Sequence, residues 1–372
     1  MDLGDETPAY VPTPGSPLHS AKQEAPPPRR WELGAKTVDI ESKALGGINS
    51  VACLGDTVLA TSARPAVQAY QVAEGKLTES RKLSTGAVGS TCVETSEESD
   101  NLLAVCCDDG IIIVWDLRAA KRVCSLTSTV ATAHRVKFFP GASYKLVSAG
   151  TAGSLAFWDL RVQQLDEEVN ADEVPSYPKK LDADAVKKQR KSKKSAAVYS
   201  LAISPDAQLL GVGRANGDVC VMRLDSRAWA GDVTAHRCQG NSTPVRALSF
   251  DMHSRLLLSG GDDNHMCILD AKAWARSGSD ELRWPQLERI PAHQKWVSSA
   301  TSCPQMQDSH VVLTTSWDRT AKLWDVRTQT VHRIYEEHAG PITASAFSRT
   351  AGGHFVTAGG DAQLSVYVPK DL

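Results

Sequence analysis

The chain has 372 residues, 42% of them hydrophobic, with a formal net charge of -2. That balance gives no overall pull toward nucleic acid or anionic lipid, while the apolar fraction can fill a large core. Nine scattered Cys form no disulfide framework, no run of about 18 apolar residues could span a membrane, and Met1 to Ala21 lacks the apolar stretch of a signal peptide, so the expected location is the reducing cytoplasm and nucleus.

Residues 1–30, rich in Pro and Ala and including Pro26-Pro27-Pro28, cannot bury enough surface to offset their ordering entropy and are predicted to be a disordered tail. Beyond them one phrase recurs: strand, tight turn, strand, large apolar residue. The large residues are Tyr70, Trp115, Trp158, Met222, Leu269, Trp324 and Tyr367, at gaps of 45, 43, 64, 47, 55 and 43. Trp115, Trp158, Leu269 and Trp324 are each followed by Asp. A period of about 40–45 residues is that of a four-stranded propeller blade. The predicted fold is therefore all-β, a seven-bladed propeller over 31–372.

The gap of 64 leaves an excess over residues 165–195, predicted to be a charged flexible insertion within the propeller. It opens acidic with Asp166, Glu167 and Glu168 and ends basic from Lys187 to Lys194. The basic run reads as a nuclear-import signal, as a phosphate contact, or as a solvated loop whose two halves offset each other. No aromatic residues interleave it, so nucleic acid is expected at most indirectly. A smaller excess carries Trp274 and Trp284, either a partner anchor or a loop folded back on its blade.

In the sixth repeat, His293, Thr314, Asp318 and Trp324 stand at spacings that allow a structural hydrogen-bond relay from turn to strand. The seventh keeps His338, Thr357 and Asp361 with Tyr367, and the fifth keeps Asp263, with Asn241 near the His position. The last repeat reads as three strands, over 341–347, 354–358 and 363–368. An open edge there would leave backbone groups unpaired, so the alternating segment 37–42 is expected to supply the fourth strand and close the ring.

Signs of catalysis are few. There is no Walker loop, nucleophile elbow or His-Glu-x-x-His. The second Asp of Asp108-Asp109 and of Asp262-Asp263 is placed in a turn, and Cys106-Cys107 points to opposite faces of a strand. No enzyme activity, cofactor or metal is expected. Binding has more support. Tyr199, Arg246, Ser298 and Thr343 each follow the first core aliphatic of an innermost strand, near the narrow mouth. Asp108, Asp262 and Trp317 precede the turns on the same side, with Trp296 nearby. Tyr199, Arg246, Asp262, Trp296 and Trp317 together suggest a groove for a short peptide, with aromatic and Arg anchors and acidic residues to select a basic side chain. The alternative is that the two Trp only pack loops between blades.

Val198-Tyr199-Ser200-Leu201-Ala202-Ile203-Ser204-Pro205-Asp206, Pro244 to Phe250, Thr314 to Val326 and Gly360 to Tyr367 carry a resemblance. The chain resembles the WD40 repeat family. Within it, it is similar to the small WD subunit shared by the superkiller complex and the RNA polymerase II associated-factor (Paf) elongation complex. The resemblance implies a non-enzymatic adaptor, monomeric within a hetero-complex, that reads short Gln-Arg-x-x-aromatic/aliphatic segments on its narrow face. Implied partners are the helicase and tetratricopeptide scaffold that feed the exosome, and the elongation-complex subunits. The tail and the 165–195 insertion are additions to the family core, and the first repeat, ending in Tyr70-Gln71, is eroded. Two other readings stand beside it. One is another WD40 scaffold, such as a ubiquitin-ligase substrate receptor, histone-binding subunit or ciliary assembly component. The other is a propeller enzyme with acids lining its channel.

Overall fold

The computed structural model describes residues 30–38, 47–96, 101–127, 133–170, 197–238, 241–272, 286–350 and 353–370. Residues 1–29, most of the 165–195 insertion and the Trp274–Trp284 loop lie outside them.

The described residues form seven four-stranded antiparallel sheets. Blades 1 to 6 are continuous in sequence, over 48–84, 90–127, 133–170, 198–234, 245–291 and 297–335. Blade 7 takes three strands from 342–370 and its fourth from Arg30–Val38.

Why these segments become strands is plain in blade 2. Successive side chains of a strand point to opposite faces. In Leu102–Cys107, Leu103, Val105 and Cys107 enter the cluster shared with blade 1, whereas Ala104 and Cys106 enter the one shared with blade 3. Both faces are buried, so the strand reads as an unbroken apolar run rather than an alternation. Seven such clusters fill the seven gaps between adjacent blades. Each fully buried Leu or Val there contributes about 1.5–3 kcal/mol.

The closing strand is present but lies earlier than expected. It runs from Arg30 to Val38, of which only Thr37 and Val38 belong to the anticipated 37–42 segment; 39–42 lie outside the described residues. The reason is Trp31, 1% exposed, which the eroded repeat pattern gave no cause to select. Its ring packs 6.2 Å from both Phe347 and Phe355. Its indole N–H donates to the Gly353 carbonyl at 2.7 Å, and its own carbonyl accepts from the Tyr335 hydroxyl of blade 6 at 3.0 Å. At the same seam Gly47 has φ +94°, and a Cβ there would fall 2.4 Å from Gly360 Cα. A second difference concerns the insertion. Its acidic opening belongs to the strand Gln164–Asn170, paired along the outer edge of blade 3.

Candidate partner-binding mouth

One backbone device positions the mouth. Each innermost strand opens with a register shift against its neighbour, between Ile48 and Ser50, Ser90 and Cys92, Ala133 and Arg135, Val198 and Ser200, Val245 and Ala247, Val297 and Ser299, and Ile342 and Ala344. A bulge inserts one residue outside the ladder and re-aims its side chain. The inserted residues are Asn49, Thr91, His134, Tyr199, Arg246, Ser298 and Thr343. Several tie one blade to the next. Asn49 Nδ2 donates to the Ser90 carbonyl at 3.0 Å, Ser298 Oγ to the Ile342 carbonyl at 2.6 Å, and Thr343 Oγ1 to the Ile48 carbonyl. The first three repeats lack the strand phrase of the others, so the sequence pattern does not single out Asn49, Thr91 and His134. The signal was a polar residue directly after the strand's first buried one.

On one arc of this ring the residues become aromatic and cationic. Trp296 and Trp317 lie with ring centroids 4.7 Å apart and planes at 45°, joined by a backbone bond from Trp317 N–H to the Trp296 carbonyl at 3.1 Å. They remain 38% and 40% exposed, an unusual amount for Trp. Arg246 lays its guanidinium 4.9 Å from the Trp296 ring and 5.5 Å from Tyr199. Asp262 holds it there through Nε and through Nη2, the latter at 2.8 Å. The five residues Tyr199, Arg246, Asp262, Trp296 and Trp317 thus form one contiguous surface. Asp262 is already engaged by Arg246, so selection of a basic ligand through it requires displacement of that ion pair.

Arg135, not anticipated, braces the same arc. Its Nε donates to the Tyr199 carbonyl at 2.8 Å and its Nη1 to the His134 carbonyl at 3.0 Å. Burial and the Arg135 charge push the His134 pKa down, and Asp108 opposes them. Below the mouth the channel narrows to a cavity of about 140 Å3, crossed on one side by Lys137 donating to Glu94 at 2.6 Å. The remaining wall mixes small apolar residues with Ser and Thr, and Ser345 Oγ bonds both Thr301 and Ser299.

The relay beneath the mouth is assembled in blade 6. His293 Nδ1 lies 3.0 Å from Asp318 Oδ2, its Nε2 lies 2.9 Å from Thr314 Oγ1, and the Trp324 indole N–H donates to that same oxygen at 2.8 Å. The Asp318 carboxylate can only accept, so a neutral His293 carries its proton on Nδ1, and Thr314, which accepts from Trp324, donates to Nε2. Burial lowers the His293 pKa despite the Asp318 charge. Burial opposes ionisation of Asp318 too, but hydrogen bonds from His293, Thr320 and the Gln294 N–H outweigh it and hold the carboxyl below its usual range. Blade 7 repeats the arrangement with His338, Thr357 and Asp361. In blade 5 the histidine is His236, not Asn241: it meets Asp263 and Ser259, both at 2.8 Å, while Asn241 sits in a two-residue hairpin. The sequence signal for it is the Ala235-His236 pair, the counterpart of Ala292-His293.

Residues 79–116, 233–270 and 284–325 match the model of the family described as WD domain, G-beta repeat. The fold is a seven-bladed β-propeller, and over these three stretches the chain is similar to WD40-repeat proteins. Proteins of this class generally act as protein-interaction scaffolds without catalytic activity, with which a non-enzymatic chain is consistent.

Similar proteins include WD repeat-containing protein VIP3 of Arabidopsis thaliana, 27% identical over 153 residues, which are 41% of this chain and 43% of that protein. The Ribosome biogenesis protein WDR12 homolog of Chlamydomonas reinhardtii is 28% identical over 38% of this chain and 32% of its own length. Protein HIR1 of Kluyveromyces lactis is 23% identical over 48% of this chain and 22% of its own length. The matched stretch is less than half the length of each relative.

Proposed function

We propose that this chain is a non-enzymatic adaptor that captures short partner segments at the narrow mouth. The observation carrying this reading is the exposed Trp296–Trp317 pair beside a guanidinium fixed by Asp262. Exposed aromatics with an immobilised Arg have the composition of a binding hot spot and lose little side-chain entropy on contact. The His293 relay holds the turn that carries Trp317.

We further propose that the partners belong to the superkiller complex, the Paf elongation complex or both, with residence in cytoplasm and nucleus. Supporting it is the resemblance of residues 198–206, 244–250, 314–326 and 360–367 to the small WD subunit those assemblies share. Affinity purification of the tagged chain, alongside an Arg246→Glu variant, tests both levels. The reading predicts recovery of the helicase and tetratricopeptide scaffold, or of elongation-complex subunits, and their loss with the variant. Recovery of a cullin adaptor, histone or ciliary assembly factor in their place would reject the complex and keep the mouth. Equal recovery by both proteins would reject the mouth.

A further inference from the structure

The opposite face of the ring holds a recess of about 650 Å3 where the turns of blades 3, 4 and 5 meet. Its residues come from the strand ends remote from the bulges: Pro140, the Asp206–Gln208 turn, 223–227, Ser254, Ala271 and Lys272. A six-residue strand of about 3.3 Å per residue separates it from the mouth by nearly 20 Å. Its floor is apolar, from Phe139, Leu209, Leu224 and Ala271, all buried or nearly so. Four cations from three blades line it, Lys145, Arg223, Arg227 and Lys272, against two acids, Asp206 and Asp225.

Blade 4 is built differently from its neighbours here. In blades 3 and 6 the turn runs Asp-x-Arg, and each Arg closes on its own Asp, Arg161 on Asp159 and Arg327 on Asp325. In blade 4 the order is reversed to Arg223-Leu224-Asp225, and Asp225 accepts from Ser226. Arg227 follows with φ +54°, at the turn position that Gln163 and Gln329 hold with the same backbone in blades 3 and 6. Its guanidinium lies 3.6 Å over the Phe157 ring, and its Nη1 is buried without an acceptor. The acids that face it, Asp166 and Glu167, stand at 3.4 and 3.9 Å and are about half exposed. Such long, solvated pairs are worth little and exchange readily for a better-placed carboxylate.

From this we infer a second docking site, on the wide face, for an extended protein segment that carries acidic side chains around one apolar anchor. The apolar floor takes the anchor, and Lys145, Arg227 and Lys272 pair with the flanking carboxylates. The recess volume suits a few residues of chain. Among the described lining residues Phe139 is the one aromatic, and it is buried in the floor, where no nucleic-acid base could stack on it. The adaptor would then hold two partners at once, one on each face.

The test uses the full chain and an array of octapeptides, each with Glu at several positions around one Leu or Phe, beside a matched array with Gln for Glu. The tightest Glu peptide is then measured by fluorescence anisotropy. The site predicts at least tenfold weaker binding of the matched Gln peptide, and at least a tenfold loss in the Lys145→Glu/Lys272→Glu variant at a melting temperature equal to that of the parent chain. Arg227→Gln should weaken binding as well, while Arg246→Glu on the narrow face should leave it unchanged, separating this inference from the mouth. Equal binding of Glu and Gln peptides, indifference to the Lys substitutions, loss with Arg246→Glu, or displacement by millimolar inorganic phosphate would each overturn it.

Discussion

At the scale of single residues, the relay of blade 6 stabilises the turn that presents Trp317. Replacing Thr314 by Val keeps the shape but strands His293 Nε2 and the Trp324 indole N–H. Two buried groups left unpaired should cost about 2–4 kcal/mol, read as a lower urea midpoint at unchanged slope. A loss under about 0.5 kcal/mol would mean that the relay contributes no more than an ordinary surface contact. The same groups set a pH dependence. His293 is held neutral, below the ordinary value of 6.5, by burial, so on acidification the unfolded chain takes up its proton first. Its contribution is complete above pH 6.5 and is lost as pH falls below that value. Asp263 is depressed to about 2 by His236 and Arg289 against the cost of burial, so its contribution is complete above 3.8 and is lost toward pH 2. Urea midpoints should therefore decline in two stages on acidification, the first beginning near pH 6.5, and a midpoint flat from pH 7 to 5 would contradict the His293 assignment. The relay was legible because His293, Thr314, Asp318 and Trp324 all survive in one repeat. His236 was not, because its repeat has Leu269 at the Trp position and a hairpin displaces the His from its usual spacing.

At the scale of elements, the strand Arg30–Val38 makes blade 7 a joint product of both ends of the described ring. Trp31→Ala should cost about 3–5 kcal/mol through the cavity left among Phe347, Phe355 and Tyr335. Differential scanning calorimetry would show the melting temperature fall accordingly, and an unchanged melting temperature would show that the closing strand is dispensable. That a strand from elsewhere closes the last blade was readable from a repeat with three strands and an open edge. Which residues supply it was not, because alternation in 37–42 outweighed one Trp beside a Pro-rich stretch, and only the aromatic pocket decides between them. Three-residue phrases such as Ser90-Thr91-Cys92 likewise hid their bulges, since a bulge is a matter of pairing register rather than of composition.

At the scale of the whole molecule, seven apolar clusters alternate with seven four-stranded sheets around a channel of mixed polar and small apolar lining. No blade buries both faces without its neighbours, so the ring holds its turns rigidly and leaves function to the two faces. Periodicity made this architecture legible from the seven large apolar residues alone. The faces were legible only in part: Tyr199, Arg246 and Trp317 follow from strand position, whereas the Arg246–Asp262 pair and the charge-reversed turn of blade 4 emerge only in three dimensions. The claim that the narrow mouth binds a partner segment is tested most directly by calorimetric titration of that segment against the Trp296→Ala variant, with melting measured in parallel. The predicted result is a loss of at least about 2 kcal/mol, a fall in affinity of roughly thirtyfold, with unchanged melting. Wild-type affinity in the folded variant would contradict it and move the binding surface away from the mouth.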